Sequence, residues 1–288
     1  MNAQAVVAGQ EGERRRDFVF RDEDFYALRD LVKATTGINL GEAKRELVYG
    51  RVSRRLRALR LESFAQYRDL LESGDEAEMV EFCNAITTNL TAFFREGHHF
   101  EYLREQVLRP RVLDPLASRR IRIWSSACST GEEPYSIAMS VCEAVPDWRK
   151  WDIRILATDL DSRVLATAQE GLYAADRMRG LSTRQVADHF VRQGEGQVAS
   201  FRVAPQLASM ITFKQLNLMD PLPMPGPLDV IFCRNVIIYF DKETQRQLFV
   251  RMSRLQRPGN LLCLGHSENL FKVSDDYSLV GKTIYRRS

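Results

Sequence analysis

Ile121-Arg-Ile-Trp-Ser-Ser-Ala-Cys-Ser-Thr-Gly-Glu-Glu-Pro-Tyr-Ser-Ile-Ala-Met139 is the stretch on which the fold turns. Ile121 and Ile123 alternate and Trp124 follows them, the pattern of a buried strand. Ser125 to Gly131 are all small. A helix is predicted next, with Thr130 as its N-cap, Glu133 as the capping-box partner and Pro134 tolerated in the first turn. Strand, small-residue turn and helix make the first half of a nucleotide-binding βαβ unit. In such a unit a ligand comes close to the backbone, and free N–H groups at the helix start favour its polar or anionic groups.

The turn departs from the dinucleotide pattern. It holds one glycine, Gly131, where that fingerprint needs three, and Glu132 and Glu133 stand where a pyrophosphate would sit. Carboxylates there repel phosphate and suit a ligand bearing a positive amine. S-adenosylmethionine has an adenosine, a cationic sulfonium, an α-amino group and no phosphate, so the local chemistry leans toward it. An ordinary strand-to-helix turn is the plainer alternative.

Downstream, strand and helix alternate, which predicts an α/β fold: a doubly wound, mostly parallel, Rossmann-like sheet covered on both faces. Strands are expected at 153–157, 211–213, 228–233 and 261–264, with 277–286 as a closing antiparallel edge. Asp159 follows the second strand, where a ribose's hydroxyls lie in such folds, while Asp161 reads as the cap of the helix from Ser162. Residues 191–204 break the alternation, with Gly194 and Gly196 between two short extended runs. This predicts a small antiparallel β insertion, whose edge could take up a peptide as an added strand; a decorated loop fits the same residues.

Upstream the pattern is helical. Residues 1–17 read as a disordered tail, 18–90 as a small helical domain, 91–120 as a connecting segment and helix, and 121–288 as the α/β domain. Asp22 is expected to cap a helix to about Thr36. In the next helix, about 42–61, Val48, Tyr49, Val52, Leu56 and Leu59 fall on one side and Lys44, Arg51, Arg54, Arg55 and Arg57 on the other. Solvation alone would give a charged face. Five cations with only Glu42 and Glu46 nearby also suit an acidic partner. His98 and His99 are adjacent, so on a helix they should point apart, and no carboxylate or cysteine spacing makes them a metal site.

At 288 residues the chain can bury a full core and divide in two. Five scattered cysteines without a C-x-x-C pair predict reduced thiols in a cytosolic protein and no zinc. No apolar run is long enough to span a bilayer, so no membrane insertion is expected. A net charge of +3 is too mild to imply nucleic acid.

Four blocks carry a further reading: Thr87-Thr-Asn-Leu-Thr-Ala-Phe-Phe-Arg-Glu96, Ala127-Cys-Ser-Thr-Gly-Glu-Glu-Pro-Tyr-Ser136, Phe232-Cys-Arg-Asn-Val-Ile-Ile-Tyr-Phe240 and Gly265-His-Ser-Glu-Asn269. With these, the chain after residue 20 resembles the chemotaxis receptor methyltransferases, the CheR family of protein-glutamate O-methyltransferases. The family's turn often has alanine where Cys128 stands. The resemblance implies S-adenosylmethionine, converted to S-adenosylhomocysteine, lying between the two domains. Asn89, Thr91 and Arg95 would then close over the cofactor. Glu132 would hold the amino group, Asp159 the ribose, Asn217 and Leu218 the adenine, and Arg234-Asn235 the floor under the sulfonium. Arg95 and Tyr239 would flank the reacting methyl, and Lys44, Arg51, Arg54, Arg55 and Arg57 would dock on acidic methylation helices of a chemoreceptor. In some members the β insertion captures a receptor's C-terminal pentapeptide; the divergent run at 192–199 leaves that open here. A monomer suffices.

The implied chemistry explains what is missing. A glutamate with pKa ~4.3 is already ionised at neutral pH, so methyl transfer to it needs no general base. Base methylation would want an Asn-Pro-Pro-Tyr-like motif where Cys233-Arg-Asn-Val236 stands, and the basic helix lacks interleaved aromatics for stacking. A cofactor-binding scaffold without turnover is the reading from a different class.

Overall fold

The computed structural model describes residues 17–196 and 199–288. The expected tail lies outside them except for Asp17, as do two residues of the β insertion.

Four helices come first: α1 (Asp22–Thr36), α2 (Arg45–Leu59), α3 (Phe64–Glu72) and α4 (Glu76–Ile86). α1 starts where expected, but its N-cap is Arg21 rather than Asp22, and the Asp24 carboxylate accepts the Arg21 N–H at 2.9 Å. Ser63 caps α3 by accepting from Gln66 N, and Asp75 caps α4 by accepting from Glu78 N. Along α2, Val48, Val52 and Leu56 are buried at i, i+4 and i+8 as the spacing predicts; Leu59 drifts out of the stripe and is exposed. After a turn-rich segment come α5 (His98–Tyr102), a π-helical stretch Leu103–Leu108 and α6 (Arg109–Leu113). The π turn had no signal in the sequence.

The alternating half is β1 (Arg120–Ser125), α7 (Glu132–Ala144), β2 (Asp152–Asp159), α8 (Ser162–Glu170), β3 (Leu172–Ala174), α9 (Thr183–His189), β4 (Phe190–Gln193), β5 (Ser200–Val203), α10 (Pro205–Ala208), β6 (Ile211–Gln215), β7 (Val230–Cys233), α11 (Lys242–Arg254), β8 (Leu261–Leu264), β9 (Tyr277–Gly281) and β10 (Ile284–Arg287). The main sheet runs β6-β2-β1-β7-β8-β10-β9. Its first five strands are parallel and the β9–β10 hairpin closes it antiparallel, as predicted. The chain leaves β1 toward β2 and β6, then returns to lay β7 on β1's other side. That reversal is a topological switch point, and ligands in open α/β sheets sit at the carboxyl ends of such strands. The β insertion is larger than predicted. β4 and β5 form the expected hairpin, and β3 pairs with β5 to make a third strand; three residues were too short to show periodicity.

Side chains alternate across the sheet. On one face Trp124, Ile231 and Leu262 share a buried cluster with Phe25, Leu28, Val52, Leu56 and Phe82 of the four helices and with Leu248, Phe249 and Met252 of α11. On the other, Ile123, Ile155, Phe232 and Val230 pack with Phe100, Leu103, Ile137 and Val141. The helical layer therefore lies over the sheet, and its connections pass the strand ends. Among the described residues no helix is long and apolar enough to cross a membrane.

Candidate active site

A cavity of about 410 Å³ opens at the carboxyl ends of β1, β2 and β7. From the sheet side Ser126, Ala127, Ser129, Asp159 and Asn235 line it; from the helical side Ile38, Leu40, Lys44 and the segment 86–91 do. Its walls are largely apolar with a few convergent polar groups, the usual make-up of a small-molecule site of this size.

The turn after β1 reaches this geometry differently from expectation. Thr130 does not cap α7: Gly131 is the N-cap, left-handed at φ 98°. A Cβ there would lie 2.8 Å from the Tyr173 hydroxyl and 2.9 Å from Ala168 Cβ, so glycine is required on both counts. Starting the helix one residue later also reassigns the acidic pair. Glu132 is not among the residues lining the cavity; it is fully buried, with Thr130 Oγ1 donating to it at 2.7 Å and Arg177 paired with it. Glu133, about 100° further round the helix, lines the cavity instead. Its Oε1 accepts from Ser125 Oγ at 2.7 Å and its Oε2 pairs with Arg234 at 2.7 Å.

Asp159 stands where predicted, at the end of β2 and buried, on the cavity wall. Ser129 N donates to Oδ2 at 2.8 Å and Asp161 N to Oδ1 at 3.0 Å. Burial pushes its carboxyl up to about 6 against the pull of those N–H groups. Asp161 caps α8, as expected, accepting from Arg163 N (2.9 Å) and Val164 N (3.3 Å).

Beneath the cavity lies a buried ion cluster that sequence reading only partly located. Arg234 pairs with Glu133 and, at 3.3 Å, with Glu96, and donates to the Arg95 carbonyl. Burial disfavours its charge, but the two carboxylates outweigh this and hold it protonated. Burial would raise Glu96 too; a hydrogen bond from His266 at 2.8 Å and the charge on Arg234 bring it down to about 2. Glu268, in the Gly265–Asn269 block, accepts backbone N–H groups of Gly265 (2.6 Å), Asn235 (2.8 Å) and Ile238 (3.3 Å), so it clamps the loop that carries Arg234 to Tyr239. A Cβ on Gly265 would lie 2.8 Å from Glu268 Oε2 and 2.9 Å from Asn235 N, which explains the glycine. Phe94, Glu96, Ser129 and Asn235 all have positive φ, between 49° and 58°. Left-handed non-glycine residues cost on the order of 1 kcal/mol or more each, and they concentrate at functional sites.

Asn89, Thr91, Arg95, Asp159, Asn217, Leu218, Arg234, Asn235 and Tyr239 all line this one cavity; of the predicted cofactor-side residues only Glu132 does not. Several side chains are already engaged. Asn217 Nδ2 donates to Thr35 O (2.7 Å), Asn89 Nδ2 to Asp161 (2.7 Å) and Arg95 Nη1 to Leu90 O (2.7 Å). The Tyr239 hydroxyl makes no hydrogen bond among the described residues. Its carbonyl accepts from Asn39 N at 2.7 Å, tying the α1–α2 connection to the loop after β7.

The basic face of α2 differs from expectation in how much of its charge is already compensated. Arg55 is not free: it forms a two-pronged pair with buried Glu78 (2.9 and 2.5 Å) and reaches Glu81 at 3.2 Å. Arg57 pairs with Asp17, and Arg51 donates to carbonyls at the end of α4. Of the five, only Lys44 and Arg54 are exposed with no ion pair among the described residues. The compensating acids lie outside α2, in α4 and before α1, where a local charge count does not look. His98 and His99 do not point apart, since their rings lie 4.0 Å from each other. They meet Lys282 O and Thr283 Oγ1 of the closing hairpin.

Residues 23–87 match the CheR methyltransferase all-alpha domain, and residues 89–286 the CheR methyltransferase SAM binding domain. The chain is 44% identical over 271 residues to chemotaxis protein methyltransferase 2 of Pseudomonas aeruginosa, covering 94% of this chain and 95% of that one. It is 42% identical to the chemotaxis protein methyltransferase of Salmonella typhimurium (93% and 91% covered) and 40% identical to that of Escherichia coli (93% and 91%).

Proposed function

The chain belongs to the CheR methyltransferase family, and from that premise we propose that it methylates glutamate side chains of chemoreceptor cytoplasmic domains, using S-adenosylmethionine and releasing S-adenosylhomocysteine. The observation that carries this reading is the convergence of residues far apart in sequence, from Asn89 to Tyr239, on a single cavity at the sheet's switch point.

The donor set fits the cofactor. Asp159, both of its oxygens fixed by backbone N–H groups, would take the ribose hydroxyls, and Leu218 with the amide of Asn217 would border the adenine. Glu133, rather than Glu132, is the carboxylate available to the amino group. Arg234 and Asn235 form the floor, and Asn89, Thr91 and Arg95 the helical-side wall. When bound, the cofactor supplies an electrophilic methyl on a sulfonium.

What the protein adds is orientation and exclusion of water. The Tyr239 hydroxyl, otherwise unengaged among the described residues, would aim the incoming carboxylate, and Arg95 would hold its second oxygen or the cofactor's end. Alignment of this kind can supply several kcal/mol, within the ~7–11 kcal/mol available from orientation. Negative acceptor and positive donor partly neutralise as they react, which a dry cleft favours. Residues 18–90 would present the receptor-docking face, with Lys44 and Arg54 as its free cations. β4, an edge of the small sheet with Val191 exposed, would accept a receptor's C-terminal pentapeptide as a further strand. A monomeric cytoplasmic enzyme with no metal or nucleic-acid partner is enough for this role.

The test is transfer of tritiated methyl to chemoreceptor cytoplasmic fragments, with and without their last five residues. Base-labile methyl esters on glutamate are the expected product. A protein that binds the cofactor yet labels no fragment would be the non-catalytic scaffold instead.

A further inference from the structure

Arg51 sits on the basic side of α2 but is half-buried, and both terminal nitrogens of its guanidinium donate inside the molecule. Nη1 donates to the carbonyls of Ala85 (3.1 Å), Ile86 (2.6 Å) and Thr87 (2.6 Å), and Nη2 to Thr88 Oγ1 (3.1 Å). Ala85 and Ile86 end α4, where the last carbonyls lack helical partners and the helix dipole is negative, so a guanidinium satisfies both needs. Thr87 to Thr91 follow directly, and all five line the cavity.

The same segment is gripped from the opposite side. Asp161 Oδ2 accepts from Thr87 Oγ1 (2.8 Å) and Asn89 Nδ2 (2.7 Å), while its Oδ1 caps α8 and its N–H reaches Asp159. A cation from the helical layer and an anion from the sheet layer thus hold one wall of the cavity between them.

We propose that Arg51 is a positioning residue for the cofactor cavity, acting through the carbonyls of residues 85–87 on the wall 87–91, and that it does not serve as a docking cation. The inference rests on reading this cavity as the cofactor site. α2 then faces two ways within one turn, with Arg54 presented outward and Arg51 turned inward. A lysine ammonium is a compact point donor on a flexible stem and cannot reproduce the planar fork that spans three carbonyls and a hydroxyl.

Calorimetry with S-adenosylhomocysteine on the full chain, paired with steady-state methyl transfer to a receptor fragment, tests this. Arg51→Gln should weaken cofactor binding on the order of tenfold, the scale expected when charged hydrogen bonds are lost. Cofactor KM should rise in step while kcat at saturating cofactor and receptor KM stay within about twofold, a split that general loosening of the fold would not give. Arg51→Lys should fall between, and Asp161→Asn, which can keep the helix cap but turns a donor toward Asn89, should shift cofactor affinity in the same direction. Arg54→Gln should do the reverse, raising receptor KM with cofactor affinity retained. Should Arg51→Gln fail to fold, Arg51→Lys decides. A folded Arg51 variant that keeps full cofactor affinity but loses receptor affinity overturns the inference and restores the docking role. If the unsubstituted protein binds no S-adenosylhomocysteine, the reading of the cavity itself fails and the inference falls with it.

Discussion

The carboxyl ends of β1, β2 and β7 and the outer face of α2 are both rows of charged side chains that stand out in the sequence, and the structure treats them in opposite ways. At the strand ends, Asp159, Arg234 and Asn235 are where the pattern put them, because a strand's end and its turn are set by local sequence and by the sheet's topology. On α2 the helix itself is right, yet three of the five cations are consumed by acids and carbonyls that lie 23 to 40 residues away in sequence. Position follows from local rules; availability depends on what packs against the position. Charge reversal should therefore have very different consequences within one helix face.

The largest effect is expected at Arg55. Its partner Glu78 is buried, also accepts from the Tyr67 hydroxyl at 2.6 Å, and would be left facing a second carboxylate in Arg55→Glu. Breaking a buried pair costs about 3–5 kcal/mol, so the variant should melt far below the parent in a thermal scan and lose every activity together. A variant that folds normally and loses only receptor methylation would place Arg55 back on the docking surface.

Next comes Asp159→Ala, the matching test at the strand ends. Removing a charged acceptor for two ribose hydroxyls should weaken cofactor affinity about a hundredfold, measured by calorimetry, with a smaller change in melting temperature. The titration of Asp159 adds a direction. Burial holds its carboxyl near 6, above the ~3.9 of an unfolded aspartate. Cofactor affinity should thus be full above that pH and fall about tenfold per unit below it, because only the ionised form accepts from both hydroxyls. For the cofactor-free protein the sign reverses: protonation relieves the burial of charge, so this group's contribution to stability grows as pH falls from about 6 toward 4. An affinity profile that stays flat through pH 6 would mean the ribose is held elsewhere.

What could be read without coordinates follows the same division. The parallel sheet, its closing hairpin and the helix start at Ser162 with its Asp161 cap were legible because periodicity and capping act within a few residues. Of the acidic pair the sequence pointed to Glu132, whereas Glu133 is the one that lines the cavity, since Gly131 takes the N-cap and the side chains of consecutive helical residues diverge by about 100°. Glu96 and Glu268 were passed over for a related reason. Each looks like one more surface acid, and each matters only because Arg234, His266 and the backbone of Asn235 are folded against it. The block at 265–269 stood out only as one of the four matching motifs; that its acid clamps backbone N–H groups, Gly265 N among them, follows from the fold.

The finest test separates two residues three positions apart on the same turn of α2. Arg54 and Arg57 are both exposed and both cationic, but Arg57 already pairs with Asp17, whereas Arg54 has no ion pair among the described residues. If availability rather than charge sets the docking surface, Arg54→Glu should cut receptor methylation about tenfold, with cofactor affinity within twofold and the loss shrinking as salt screens the contact. Arg57→Glu should do little to methylation. It breaks an exposed pair worth about 0.2–1 kcal/mol and a contact of the guanidinium over the Phe18 ring (5.8 Å), a cost visible as a small drop in melting temperature that shrinks as salt screens the pair. Equal losses of methylation at the two positions would show that the receptor competes successfully for Arg57 against Asp17. The docking face would then extend along the helix, and partnering within the free protein would no longer predict which cations a partner can use.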